Sequence, residues 1–223
     1  MDFTNKKITA GLALMMFVIS FLIGSWTFAI DFDIFHWFQG ITETAFGQWL
    51  YNAALIFSSL GAPEIILFVT IFSALLLWIK KYRFEALSFV LLTGTGIVFN
   101  YLLKVFFQRE RPGEARSIEV FQFSLDIPSF SFPSGHTMRI TLLCLLLFYV
   151  WDRVIRKGGM VKGTVILLLF VIAIGTSLAR VVLGWHYPTD ILAAILFSLG
   201  LFLLFYSGEE KLRGKFQQSF LRK

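Results

Sequence analysis

The sequence predicts an all-α membrane protein, a bundle of six transmembrane helices with a short interfacial helix, and three observations carry that prediction. Of 223 residues, 57% are hydrophobic and only 15% charged, whereas a soluble domain carries nearer ~25% charge. Runs of about 20 uncharged residues recur, each long enough to cross ~30 Å of hydrocarbon as a helix. Six such spans leave only about 100 residues for loops and ends, so residues 1–223 form one membrane domain with no second globular unit.

The first expected span runs from about Ile8 to Ile30, after Lys6 and Lys7. Thr27 and Ala29 could precede a signal-peptide cleavage site, but the apolar run exceeds the usual ~7–15 residues of a signal core, so a retained helix is expected. Asp31 to Leu60 is mixed and aromatic-rich, with an interfacial helix from about Thr42. Further spans are expected at about Pro63–Trp78, Phe84–Phe107, Ser134–Trp151, Val161–Leu183 and Pro188–Tyr206. The single cysteine, Cys144, supplies neither an intrachain disulfide nor a thiolate cluster and reads as a small apolar filler.

The net charge of +6 is dispersed between apolar segments, which argues against nucleic acid as a partner. With a cytoplasmic N-terminus, alternation puts Lys6, Lys7, Lys80, Lys81, Arg83, Arg153, Arg156, Lys157, Lys162, Lys211, Arg213, Lys215, Arg222 and Lys223 inside. That is fourteen of twenty basic residues, as the positive-inside rule requires. Both termini are then cytoplasmic. The remaining six, Lys104, Arg109, Arg111, Arg116, Arg139 and Arg180, lie at outer span ends against the bias, which calls for a functional reason.

Three segments meet at that face: Lys104 to Pro112, Pro133-Ser134-Gly135-His136, and Arg180 to Asp190. The chemistry they suit is attack on a phosphoryl group. Ser134 reads as a helix N-cap, leaving N–H groups of Gly135 and His136 for an anion. Lys104, Arg111 and Arg180 would spread charge over the phosphoryl oxygens. One histidine can attack while the other delivers a proton to the leaving oxygen. His186 is the candidate nucleophile because Asp190, four residues on with Pro188 opening a helix, can hold its tautomer; His136 is left as general acid. Arg109, Arg116 and Arg139 read as headgroup or surface contacts, His36 as interfacial, and Glu64 and Glu85 as span-end anchors.

This pattern of Lys, six residues, Arg-Pro; Pro-Ser-Gly-His; and Arg, five residues, His, three residues, Asp resembles the type-2 phosphatidic acid phosphatase superfamily, with a motif core over residues 104–190. The likeness is to its bacterial membrane branch, which includes undecaprenyl pyrophosphate and phosphatidylglycerophosphate phosphatases. The resemblance implies a phosphatase without metal or other cofactor, acting on a membrane lipid phosphate at the extracytoplasmic face. It implies a phosphohistidine on His186, His136 as acid, and phosphate contacts from Lys104, Arg111, Ser134, Gly135 and Arg180. One position departs: the family's usual Ser before the third-motif Arg is Ala179, which predicts a missing phosphate-directed hydroxyl. A lipid-phosphate-binding or transport protein would need only the cations and not His136, His186 and Asp190. A vanadate haloperoxidase would share the motifs but has no use for six spans.

Overall fold

A computed structural model describes all residues except 1–4, 27, 113–116, 121–122, 129, 157 and 222–223. Thr27, Arg116, Lys157, Arg222 and Lys223 therefore lie outside the described residues. The elements run α1 (Lys6–Gly24), α2 (Ala29–Thr42), α3 (Ala45–Leu60), α4 (Pro63–Ile79), α5 (Arg83–Phe107), β1 (Ser117–Val120), β2 (Phe123–Pro128), α6 (Gly135–Val150), a π-helical turn (Trp151–Ile155), α7 (Gly159–Val182) and α8 (Pro188–Leu221). The helical class is as expected. Strands β1 and β2 add an antiparallel hairpin, with Val120 opposite Phe123, in the connection between α5 and α6.

Among the described residues four helices, α1, α5, α7 and α8, are each long and apolar enough to cross a membrane, and the pair α3 and α4, bent by 43° at their junction, makes a fifth candidate. The six expected spans exceed that number because α6 has only 16 residues, about 24 Å at 1.5 Å per residue, before it passes into the π-helical turn.

The first span is shorter than the apolar run suggested. It stops at Gly24, where a Cβ would lie 2.6 Å from the rings of Phe107 and Phe132. Two carbonyls freed near this end, those of Ile23 and Trp26, accept hydrogen bonds from the Arg109 guanidinium, a cation suited to the negative end of a helix. Residues after the break form α2, a separate helix. Its buried Asp31 accepts hydrogen bonds from Thr189 N (3.1 Å) and Thr189 Oγ1 (2.6 Å), tying α2 to the start of α8. Helix α3 begins at Ala45, where Thr44 Oγ1 caps Gly47 N at 3.0 Å.

Helix α6 lies inside the bundle. Ile140, Leu142, Leu143, Cys144 and Leu146 pack with Ile66 and Leu77 of α4 and with Ala86 and Phe89 of α5. Cys144 is buried, in the filler role expected of it. Met138 meets Ala193, Ala194 and Phe197 of α8 along with Leu103 and Phe132. The small residues of α8 let α6 and α8 approach closely, the packing used where lipid offers no hydrophobic drive for association.

At the end of the bundle away from residues 104–136, ion pairs join the helices. Lys6 pairs with Glu210, Lys162 with Asp152 (2.6 Å), and Arg213 with both Glu85 and Glu209 (2.8 Å each). Glu209 also accepts from Arg153 (2.7 Å) and from Tyr149 Oη (2.8 Å). Glu85, expected as a span-end anchor, sits in the first turn of α5 and is buried in this network.

Candidate active site

The turn between α7 and α8 carries His186, and its backbone N–H donates to Arg180 O at 3.2 Å. The imidazole is 1% exposed. Its Nδ1 lies 3.4 Å from Asp190 Oδ2 and 3.3 Å from Ser131 Oγ, while Nε2 lies 3.5 Å from Arg111 Nη1. A guanidinium can only donate, so Nε2 presents its lone pair and Nδ1 carries the proton towards the carboxylate. Burial, and then the charges of Arg111, Lys104 and Arg180, hold this imidazole well below its ordinary range, partly opposed by a hydrogen bond with Ser131. His186 is therefore neutral at neutral pH.

Asp190 sits in the first turn of α8, with its side chain fully buried. It accepts from Ser131 Oγ and from Tyr187 N (2.9 Å), and it pairs with Arg109 Nη1 at 2.9 Å. Arg109 Nη1 also reaches Thr189 Oγ1 at 2.9 Å, and the guanidinium lies 4.9 Å above the Phe132 ring. The expectation of a headgroup or surface contact for Arg109 is thus corrected: the side chain is 6% exposed and locked inside the protein. An unpaired buried Asp190 would be costly, and Arg109 is the cation within reach.

Arg111 is held by Trp185 O at 2.8 Å. Lys104, in the last turn of α5, donates to the carbonyls of Phe130 and Ser131. Arg180, in the last turn of α7, donates to Ser58 Oγ of α3 and stacks 4.1 Å above the Trp185 ring. Contacts link these side chains: Arg111 reaches His186 Nε2, Lys104 reaches the carbonyl of Ser131, whose hydroxyl faces His186 Nδ1, and Arg139 reaches His136 Nδ1.

Ser134 caps α6 as its position suggested, with Oγ accepting from Thr137 N at 3.4 Å and its own N–H donating to Asp190 O at 3.2 Å. Among the described residues the N–H groups of Gly135 and His136 have no acceptor, which leaves the positive end of α6 open to an anion. Gly135 keeps the approach open, since a Cβ would lie a tight 3.1 Å from Asn100 Oδ1 and from Arg139 Nη1. His136 is partly exposed, and Arg139 Nη2 lies 3.3 Å from its Nδ1. Arg139, expected as a headgroup or surface contact, is turned inward and donates to Gly61 O through Nε (3.3 Å) and Nη2 (3.2 Å).

The structure brings the eight positions singled out from the sequence, Lys104, Arg111, Ser134, Gly135, His136, Arg180, His186 and Asp190, to one end of the bundle. Sequence reasoning missed Ser131, Asn100 and Ser58 and misplaced Arg109 and Arg139. Ala179 is buried among Ala54, Val182 and Leu183, with Phe57 and Trp185 beside them.

Residues 85–213 match the family model described as PAP2 superfamily. The chain is 30% identical over 157 residues to Phosphatidylglycerophosphatase B of Bacillus subtilis (strain 168), covering 70% of this chain and 73% of that protein. Among solved structures, the fold is similar to the first transmembrane PAP2 type phosphatidylglycerolphosphate phosphatase from Bacillus subtilis. That likeness has a TM-score of 0.70 at 24% identity and covers 90% of this chain and 96% of the other. Aquifex aeolicus LpxE is similar over 78% of this chain and 93% of its own, with a TM-score of 0.51 at 20% identity.

Proposed function

The chain belongs to the PAP2 superfamily, and we propose that it is an integral membrane phosphatase that hydrolyses a lipid phosphate or lipid diphosphate through a phosphohistidine. The observation that carries this reading is the orientation of His186, whose Nε2 lone pair faces Arg111 while Nδ1 faces Asp190 and Ser131. A pocket that only bound phosphate would gain nothing from a neutral imidazole placed among cations.

In the proposed reaction His186 Nε2 attacks phosphorus and the bond from phosphorus to the leaving oxygen breaks. Lys104, Arg111, Arg180 and the open N–H groups of Gly135 and His136 stabilise the equatorial oxygens. Asp190 stabilises the positive charge that develops on the imidazole. His136 supplies a proton to the leaving oxygen, and water then cleaves the phosphorus–nitrogen bond, returning a proton to His136 and releasing inorganic phosphate. The charge work falls to protein cations, so activity is expected to survive chelation by EDTA.

The substrate classes in view are phosphatidylglycerophosphate, after the Bacillus relative's name, and undecaprenyl pyrophosphate. The ion-paired end of the bundle carries Lys6, Arg153, Lys162 and Arg213, which supports a cytoplasmic end there and an extracytoplasmic active site. The carrier diphosphate is left on that outer face. The test is phosphate release by purified protein in detergent, followed by trapping of labelled enzyme. His186→Ala should form no phosphoenzyme. His136→Ala should be rescued by an activated aryl phosphate, whose leaving group needs no proton. Binding without phosphate release from any lipid phosphate would replace this reading with a lipid-binding protein.

A further inference from the structure

We infer that Arg139 forms a second anion subsite, on the leaving-group side of the site, for a phosphate carried directly on the leaving oxygen; the substrate class is a lipid diphosphate. The inference rests on the phosphatase reading above and deepens it.

Arg139 lies one turn into α6 from His136, so the two side chains share a helix face. Its guanidinium is fixed on one edge, where Nε and Nη2 both donate to Gly61 O at 3.3 and 3.2 Å. Gly61 is brought close because it lacks a side chain: a Cβ there would lie 3.1 Å from His136 Cβ and 3.0 Å from Thr176 Cγ2. The other edge makes no hydrogen bond among the described residues, and Glu64 acts on the charge of the guanidinium without a close ion pair to it. Among the described residues Arg139 Nη1 and His136 Nε2 make no hydrogen bond, and Nη1 lies beside the start of α6, 3.1 Å from the point a Gly135 Cβ would occupy. A guanidinium pinned at one edge and open at the other is preorganised to receive an oxyanion.

The placement fixes which anion. In-line attack from His186 puts the leaving oxygen on the far side of phosphorus, next to the acid, His136. Arg139 touches that imidazole, so an anion on Nη1 must be joined to the leaving oxygen with almost no spacer. A diphosphate meets this condition; a phosphate separated from the leaving oxygen by a glycerol does not. There is also a reason for the anion to be present. Arg139 Nη2 points its N–H at His136 Nδ1, and two N–H groups cannot face each other, so the contact opposes a proton on Nδ1. A second phosphate on Arg139 neutralises that cation and draws it away, allowing His136 to hold the proton it delivers to the bridging oxygen. The products are a lipid monophosphate and, after hydrolysis of the phosphohistidine, inorganic phosphate.

The test compares an isoprenoid diphosphate, the same isoprenoid monophosphate and phosphatidylglycerophosphate as substrates of the wild-type protein, Arg139→Gln and Arg139→Lys. Losing a charged hydrogen bond to the second phosphate should lower kcat/KM for the diphosphate roughly tenfold more than for the monophosphate in Arg139→Gln, with partial recovery in Arg139→Lys. A measurement on the wild type stands should the variants fail to fold: methylenebisphosphonate should compete at least about tenfold more tightly than methylphosphonate. Equal inhibition by the two, equal losses on all three substrates, or a greater loss on the glycerol-spaced substrate would each overturn the subsite while leaving the phosphatase standing. Failure of the wild type to release phosphate from any of the three would instead strike the underlying reading.

Discussion

Arg109 offers the sharpest test of how the site is held. Its guanidinium contacts Asp190 Oδ1 and Thr189 Oγ1 at 2.9 Å, Ile23 O at 3.0 Å, and Trp26 O. It thus joins the end of α1 to the start of α8 through the carboxylate that orients His186. Arg109→Met keeps much of the stem and removes the charge. Deleting one partner of a buried pair costs about 3–5 kcal/mol, which for a chain of this size lowers the melting temperature by roughly 6–20 °C. Asp190→Asn should also destabilise, since it strands the guanidinium. The double variant should lose about 2 kcal/mol less than the two single losses added, because neither charge is then left alone. Tryptophan fluorescence in detergent at one scan rate gives the melting temperatures, and turnover of an aryl phosphate reads the nucleophile. Turnover by Arg109→Met should fall at least about tenfold, since Asp190 loses the contact that fixes it beside Nδ1. A shift below about 2 °C, or additive losses in the double variant, would refute the argument.

Arg111→Gln removes the nearest charge that keeps His186 neutral, so the imidazole should protonate at higher pH. The acid limb of kcat/KM should then move up relative to the wild type on the same substrate, and a limb that stays or moves down counts against the assignment. Ser131→Ala deletes the hydroxyl shared by Asp190 and His186 and should cost about 1 kcal/mol of stability. It should slow phosphoenzyme formation without changing sensitivity to the leaving group, and a steeper leaving-group dependence would place Ser131 with the acid instead. Ala179→Ser should leave inhibition by vanadate within about twofold of the wild type, because a serine in this apolar pocket bonds to its own helix; tenfold tighter inhibition would show that the hydroxyl reaches the site. Glu209→Ala strands Arg153 and leaves Arg213 with Glu85 alone, and it should lower the melting temperature while kcat per folded molecule stays unchanged, measured after gel filtration.

The parts of the molecule legible in the sequence are those where one residue type has one use in lipid. Long apolar runs make helices, and Lys104, Arg111 and Arg180 stand out because cations at span ends need a reason. The same logic marked Arg109 and Arg139 as exceptional but not their direction, since a long side chain near a span end can snorkel outward or turn in. What turns Arg109 in is Asp190, which is 81 residues away, together with the carbonyls at the end of α1. The run from Ile8 to Ile30 is apolar enough to continue, but α1 ends at Gly24, which packs against Phe107 and Phe132. Ser131 left a weaker signal, a second serine three residues before Ser134, and its value depends on a contact with α8 that local pattern does not encode.

Opposite ends of the bundle solve the cost of buried charge differently, and the difference bears on function. At the far end Glu85 and Glu209 are matched by Arg153 and Arg213, so the cluster is close to neutral and has no unmet demand for a ligand. In the site Arg109 is balanced by Asp190, and Glu64 lies close enough to act on the charge of Arg139. Lys104, Arg111 and Arg180 contact carbonyls, a serine hydroxyl and a tryptophan face around the imidazole. These contacts position the three cations, and their charges set a positive field at His186. The field also keeps His186 unprotonated, so the charge that attracts the phosphoryl group prepares the group that attacks it. Replacing Lys104 or Arg111 by a neutral residue should therefore weaken phosphate binding and move the acid limb together. A variant that weakened binding while leaving the limb in place would separate two effects that this geometry makes one.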